Sequence, residues 1–562
     1  MMKKFISLLA SAAIAVSVIP MAVFAEGETN GETETPIVER SLKLNRDVVI
    51  REEIPKEMFG YNSENSRSSY VGGLSVRSRN TNFLMLDDET VNPQALEDLK
   101  DYPFCHIRFG GTSVQNRYWK ENLGALYERP VVVTPTFDKD GSFTGKSRND
   151  TYSGLRHYIS NYQTTDMKPD GGYVSDIKMF QEFDPDVSFT VTLNVLKDTY
   201  ENNIDLVEFL TSDGETNPNG GENWGLKRKQ MGIDKVNLYA YELGNENDLA
   251  KYSITEEINM VKKMVAGIRS VDKETPIAVA ISTSDTGSVG VDFQRRLLIE
   301  CGDIIDYFVV HKYFTYNSVT AVCEPTLRNL INDIEKFGDP ERHKILFTEY
   351  NTGWITKTTD WCKNTSISSA VTIADYMIRM MNYPQVIECD FHALNCGGGD
   401  SDSTRYFGTI TGKEAYGRDG GPWWSYYTDY DGDVKPTAPL DILKLMYQGS
   451  KDAKMIGVDL ENFELGRGAT VSACAFERPN GDILLYVANL EQASGAQINL
   501  EDSGYYLKKK TDIYGTNGMY SMNFHGVKEV KIEETNYKTF DECKTLNLRP
   551  VSFSEFVLAP IK

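Results

Sequence analysis

Leu238-Tyr-Ala-Tyr-Glu-Leu-Gly-Asn-Glu-Asn-Asp248 is the stretch on which the fold turns. Its first six residues are a short apolar and aromatic run of the kind that forms a buried strand. The run stops at Gly244, and a carboxylate between two amides follows at once. Working outward, the same arrangement recurs. Seven further runs fit it: 58–62 (MFGYN), 105–109 (CHIRF), 187–195 (VSFTVTLNV), 276–281 (PIAVAI), 307–311 (YFVVH), 345–348 (ILFT) and 389–394 (CDFHAL). Between them lie segments of helical period, most clearly 254–271 (ITEEINMVKKMVAGIRSV), where Ile258, Val261, Met264 and Val265 share a face. Helices are also expected over 292–300, 325–337 and 367–382.

Eight strands alternating with helices meet the requirement of a (β/α)8 TIM barrel, with a doubly wound sheet as the competing arrangement. The barrel is favoured because run after run ends in a polar group: Asn62/Glu64, Arg108, Asn194, Asn245/Glu246, His311/Tyr313, Glu349/Asn351 and Asn395. Only a barrel brings all of those carboxyl-terminal ends to one mouth.

Beyond about residue 450 the helical period gives way to short alternating runs at 470–476, 482–489, 497–500 and 551–558, with the turn Pro479-Asn-Gly-Asp482 between the first two. This predicts a C-terminal antiparallel β-sandwich over 451–562, joined by strand-like residues 37–54, with the catalytic barrel over 55–450. Residues 1–25 fit a secretory signal peptide: Lys3 and Lys4 precede an apolar run, and Ala22-Val-Phe-Ala25 precedes the expected cleavage point. Ser7, Ser11, Ser17 and Pro20 interrupt the run, which disfavours a retained membrane anchor. Residues 26–36 (EGETNGETETP) can bury nothing and are expected to be a flexible acidic leader. The chain is thus expected to be secreted.

The formal charge of −22, from 59 basic and 81 acidic residues, argues against a nucleic-acid partner, since phosphate binding needs a cationic face. A neutral or weakly charged ligand suits it better, with no membrane partner expected for the mature chain. The eight cysteines form no C-x-x-C pair, so neither a zinc finger nor a dense disulfide scaffold is indicated, and their pairing is left open.

Glu246 and Glu349 stand apart from the other acidic residues because each ends a predicted strand, the fourth and the seventh. Glycoside cleavage with retention needs two carboxyl groups about 5 Å apart, one attacking the anomeric carbon and one protonating the leaving oxygen. No metal or organic cofactor is required for that chemistry.

Gly244-Asn-Glu246 and Thr348-Glu-Tyr-Asn351 resemble the acid/base and nucleophile motifs of glycoside hydrolase clan A. Within that clan the sequence is most similar to the α-L-arabinofuranosidase family, through Ile107-Arg-Phe-Gly-Gly111 continuing to Tyr118-Trp-Lys120 and Glu128-Arg-Pro130, and through Met58-Phe-Gly-Tyr-Asn-Ser-Glu64. It departs from that family at Thr348, where an aspartate is usual, and at Gly110, where a proline is usual. The heparanase-like β-glucuronidases and the β-xylosidases carry similar Asn-Glu pairs.

The resemblance implies Glu246 as general acid/base and Glu349 as nucleophile. It also implies that Asn245 binds a sugar 2-hydroxyl and that Arg108 keeps the nucleophile ionised, with a purely structural ion pair as the alternative. Tyr313 would donate to the nucleophile, with His311 and Glu64 beside it. Trp354 is the first choice for a stacking subsite, ahead of Trp119, Trp361 and the aromatic cluster at 423–427. Asp429, Asp431 and Asp433 could bracket calcium, but position 12 of such a loop would be Leu440 or Ile442, so a solvated turn is favoured. An endo-glycanase of the same clan, a transglycosylase and a non-catalytic carbohydrate-binding barrel are the alternatives to an arabinofuranosidase-like hydrolase, and endo versus exo action is left open.

Overall fold

In the computed structural model the described residues are 36–63, 90–111, 119–123, 132–133, 166–167, 173–196, 198–247, 253–282, 288–352, 365–392, 394, 426–428, 434–501, 504–524 and 527–561. Glu64, Trp354, Trp361, Trp423, Trp424, Asn395, Asp429, Asp431, Asp433 and the segment 1–35 lie outside them.

The chain opens with β1 (Ile37–Arg51) and then enters a closed eight-stranded barrel. Its strands are β2 (Gly60–Ser63), β3 (His106–Phe109), β4 (Ser188–Leu193), β5 (Leu238–Leu243), β6 (Ile277–Ala280), β7 (Tyr307–Phe314), β8 (Lys344–Thr352) and β9 (Val386–His392). They follow one another round the ring, every pair parallel, and β9 closes on β2. The helices between them are α1 (Pro93–Leu99), α2 (Tyr173–Phe183), α3 (Tyr200–Thr211), α4 (Trp224–Gln230), α5 (Ile254–Val271), α6 (Ser288–Cys301), α7 (Glu324–Phe337) and α8 (Ile367–Met381), with α9 (Ala438–Ser450) after the last strand. This is a TIM barrel.

Local chemistry sets several boundaries. Helix α5 starts at Ile254 because Ser253 and Glu256 form a capping box: the Ser253 hydroxyl accepts from the Glu256 amide and the Glu256 carboxylate accepts from the Ser253 amide. Strand β8 is not regular. Leu346 pairs with Val309 and Glu349 pairs with His311, so Phe347 and Thr348 on β8 face a single residue, Val310, on β7. That bulge turns Glu349 toward the barrel axis.

The second unit is one nine-stranded, mostly antiparallel sheet curled around its own core. After β10 (Lys454–Leu460), β11 (Val471–Glu477), β12 (Ile483–Asn489), β13 (Gly495–Leu500), β14 (Tyr505–Gly515), β15 (Val530–Asn536), β16 (Thr545–Leu548) and β17 (Ser552–Pro560), the order is β15-β14-β17-β12-β11-β10-β1-β13-β16. The β11–β12 turn closes with Gly481 at φ +83°. Strand β1 is antiparallel to β10 and parallel to β13, so the N-terminal strand sits inside the C-terminal sheet. Leu42, Ile456, Leu485, Ile498, Leu546 and Phe556 fill that sheet's own core. Its other face, through Phe476, Tyr486 and Phe553, belongs to the core of the barrel.

Helix α8 lies between the two units and is buried at every position, which accounts for its near-continuous apolar sequence. The charges it does carry are paired. Arg379 Nε lies 2.9 Å from Asp375 and its Nη1 lies 3.1 Å from Glu324 of α7. Glu324 also accepts from the Tyr383 hydroxyl and from the Gly466 amide. Among the described residues, Cys105, Cys301, Cys323, Cys389, Cys474 and Cys543 are free thiols, and no helix is long and apolar enough to cross a membrane.

Replacing Arg379 with Met leaves Asp375 and Glu324 buried without their cation. The expected cost is about 3–5 kcal/mol of unfolding free energy, read from urea denaturation. A loss below about 1 kcal/mol counts against this reading of the triad.

Candidate active site

The carboxyl-terminal ends of β3, β5, β7 and β8 converge on one guanidinium. Arg108, fully buried at the end of β3, donates from Nε and Nη2 to the two oxygens of Glu242 at 2.7 Å each. Its Nη1 donates to Glu349 Oε1 at 2.8 Å, and Nη2 also donates to Asn245 Oδ1 at 2.8 Å. Thr192 on β4 adds a hydrogen bond to Glu242 at 2.8 Å. Burial opposes the charge on Arg108, but Glu242 and Glu349 outweigh it and hold the guanidinium firmly protonated.

Glu349 is 6% exposed. Its second oxygen accepts from the Tyr313 hydroxyl at 2.6 Å. Burial alone would raise its pKa. His311, His392 and Arg108, together with the Tyr313 hydroxyl, reverse that and hold the carboxyl well below the usual carboxylate range. Glu349 is therefore an anion with both oxygens aligned by donors.

Glu246 differs in each respect. Its side chain is 25% exposed, and its backbone takes the uncommon value φ +48°. Helix α5 holds it there at one remove: Asn247 donates to the Leu243 carbonyl at 3.0 Å and to buried Glu257 of α5 at 2.9 Å. His311 connects the two carboxyl groups. Its Nδ1 is 3.0 Å from Glu246 Oε1 and 3.7 Å from Glu349 Oε2, and its Nε2 is 3.0 Å from Thr348 Oγ1. Burial lowers the His311 pKa, but the charge of Glu349 and the hydrogen bond to Glu246 raise it above the ordinary value.

One carboxylate oxygen each of Glu246 and Glu349 and a ring nitrogen of His311 lie within 4.8 Å of one another. Glu246, Glu349, Asn245, Arg108, His311 and Tyr313 thus meet in one constellation. Glu64 and Trp354 fall outside the described residues. Trp119 does not serve as a stacking platform: its ring is buried against Phe209 and Trp224, and its indole N–H donates to the Asn202 carbonyl at 2.8 Å.

The sequence pattern misses Glu242, because it sits inside an apolar run and its partner Arg108 is distant in sequence. Gly110 also gains a reason: a Cβ there would lie 2.2 Å from Arg108 Cζ, so the backbone passes too close to the guanidinium for a side chain. Among the described residues a second, fully buried donor cluster is His106, Glu388 and Asp390, further down the barrel.

No protein-family model and no curated protein sequence matches the chain. Solved structures do. An α-L-arabinofuranosidase from Thermotoga maritima in complex with arabinose is 15% identical, with a TM-score of 0.67 over 92% of this chain and 99% of that one. A family 51 arabinofuranosidase from Xanthomonas axonopodis pv. citri is 13% identical, with a TM-score of 0.67 over 94% of this chain and 100% of that one. A family 51 α-L-arabinofuranosidase from Bifidobacterium longum is 12% identical, with a TM-score of 0.68 over 93% of this chain and 100% of that one. The chain has the fold of these clan A arabinofuranosidases in both its barrel and its curled sheet.

Tyr313→Phe removes one of the donors that keep Glu349 ionised, so the Glu349 pKa rises, by roughly one unit. A carbon-13 NMR titration of the labelled carboxyl measures it, and no upward shift would contradict the assigned role of the hydroxyl.

Proposed function

We propose that this protein is a secreted retaining glycoside hydrolase acting on extracellular polysaccharide or oligosaccharide of the hemicellulose type, in the manner of an α-L-arabinofuranosidase. The observation that carries the reading is the unequal pair of carboxyl groups, with an oxygen of each within 4.8 Å of the other, at the carboxyl-terminal ends of β5 and β8. One is buried and kept anionic by Arg108 and Tyr313; the other is partly exposed beside His311.

Glu349 attacks the anomeric carbon as Glu246 donates its proton to the departing oxygen. The glycosidic bond breaks and an ester to Glu349 forms. Glu246, now ionised, takes a proton from water. That water attacks the same carbon from the face the leaving group vacated and returns Glu349 as a free carboxylate. Esterification removes the negative charge of Glu349 from the vicinity of Glu246, which favours the ionised form needed in the second step. Arg108 keeps its place through Glu242 while its other partner gains and loses charge. Asn245, whose side-chain oxygen accepts from Arg108, is the residue the resemblance assigns to the sugar 2-hydroxyl. Secretion rests on the signal-like residues 1–25.

Purified protein tested against chromogenic glycosides and natural polysaccharides should release sugar of retained anomeric configuration, followed by proton NMR of the first product. Inversion would overturn the double displacement, and glycan binding without release of reducing ends would favour a non-catalytic barrel. Glu349→Gln should lose roughly 10⁴-fold or more in kcat. Glu349→Ala should regain turnover with azide and yield a glycosyl azide of inverted configuration, whereas substantial activity in Glu349→Gln removes Glu349 as the nucleophile.

A further inference from the structure

A second ring of polar residues lies one layer below Arg108, toward the amino-terminal end of the barrel, and takes no part in the proposed chemistry. His106 opens β3, and Glu388 and Asp390 lie on β9. All three are 0% exposed. His106 Nε2 is 3.3 Å from Glu388 Oε1 and 3.7 Å from Asp390 Oδ1. Among the described residues those atoms, and Asp390 Oδ2, make no well-directed hydrogen bond, and the three side chains face one another instead.

We infer that His106 Nε2, Glu388 Oε1 and Asp390 bind a divalent first-row transition metal ion, zinc first among them, as a structural centre inside the barrel.

Charge, geometry and support converge on this. Two carboxylates with a neutral imidazole carry two negative charges in a fully buried place, and a divalent cation balances them. One imidazole nitrogen with carboxylate oxygens is a donor set that suits zinc and its neighbours. Tetrahedral bonds of about 2.0–2.1 Å put donor atoms about 3.3 Å apart, which the two measured separations approach. The surrounding contacts are those that orient metal ligands. His106 Nδ1 is 2.8 Å from Ser188 Oγ, which donates to Glu57 at 2.9 Å. The second oxygen of Glu388 accepts from Thr190 at 3.0 Å. This chain also makes room: a Cβ on Gly60 would sit 2.0 Å from Asp390 Oδ1 and 2.7 Å from His106 Cδ2. Asp390 Oδ2 or a water completes four ligands.

The other state open to the cluster is a proton shared between Glu388 and Asp390. Burial and the charge of Glu388 push the Asp390 pKa well up, which that state requires. Among the described residues the charged and titratable groups around the trio include Glu57, Arg108, Glu242, Tyr239, Tyr307, Tyr350 and Cys389.

The full-length chain is unfolded in denaturant with EDTA, then refolded with and without zinc chloride and desalted. Inductively coupled plasma mass spectrometry should find about one zinc per chain after refolding with zinc. That sample should also melt several degrees higher than the one refolded without zinc. X-ray absorption at the zinc edge should show one imidazole nitrogen with oxygen neighbours and no sulfur, a readout that needs no variant. Asp390→Asn and His106→Gln should each lower zinc content at least about tenfold. Fewer than about one zinc per ten chains, or a sulfur ligand, overturns the inference. So does a melting temperature that responds to pH across the carboxylate range but not to zinc.

Discussion

The bidentate pairing of Arg108 with Glu242 is the constraint from which the rest of the site follows. A guanidinium buried in a barrel is costly unless its donors are matched, and here four hydrogen bonds at 2.7 to 2.8 Å match them. Glu242 takes one edge of the fork, so the remaining donors are aimed at Glu349 and Asn245 and have no freedom to choose otherwise. β3, β5 and β8 are thereby fixed relative to one another at the level where the two carboxyl groups meet. A lysine could carry the charge but not the fork, so position 108 is bound to arginine by geometry as well as by sign.

The barrel interior divides along the same line. On the side of β5 to β8 it is filled by Ala240, Ala278, Ala280, Val309 and Leu346, a small apolar cluster. On the side of β3, β4 and β9 it is polar, with Thr190 reaching across to Glu388. Small side chains on one wall leave space for the long charged ones of the other.

Much of this was legible in the sequence, and the exceptions have physical causes. The run 238–243 and the helix 254–271 match the structure residue for residue, because a glycine ends one and a Ser/Glu capping box starts the other. Strand β8 runs on to Thr352, beyond the expected 345–348, because the bulge at Phe347 and Thr348 breaks the alternation that marks a strand. The predicted C-terminal sandwich is present as a curled, mostly antiparallel sheet, but its strand order was not legible, since strand periodicity reports which face is buried and not which neighbour is paired. Glu242 and His106 were hidden for a common reason: inward-facing polar residues of a barrel look like interruptions in an apolar run until the partners across the axis are known. Glu64, Trp354 and the acidic residues at 429–433 fall outside the described residues.

Helix α8 has a consequence for how such a protein could be divided or recombined. It packs against β8 of the barrel and against β11, β12 and β17 of the curled sheet. Its Arg379 is tied to α7 and to the Arg467 carbonyl just before β11. Strand β1, at the other end of the chain, completes the same sheet. The two units are therefore one inheritance unit in the physical sense: cutting the chain near residue 450 strips the apolar cover from α8 and orphans β1. A shortened barrel taken from this protein, or a sheet exchanged with that of a relative, would have to carry a rebuilt α8 face with it.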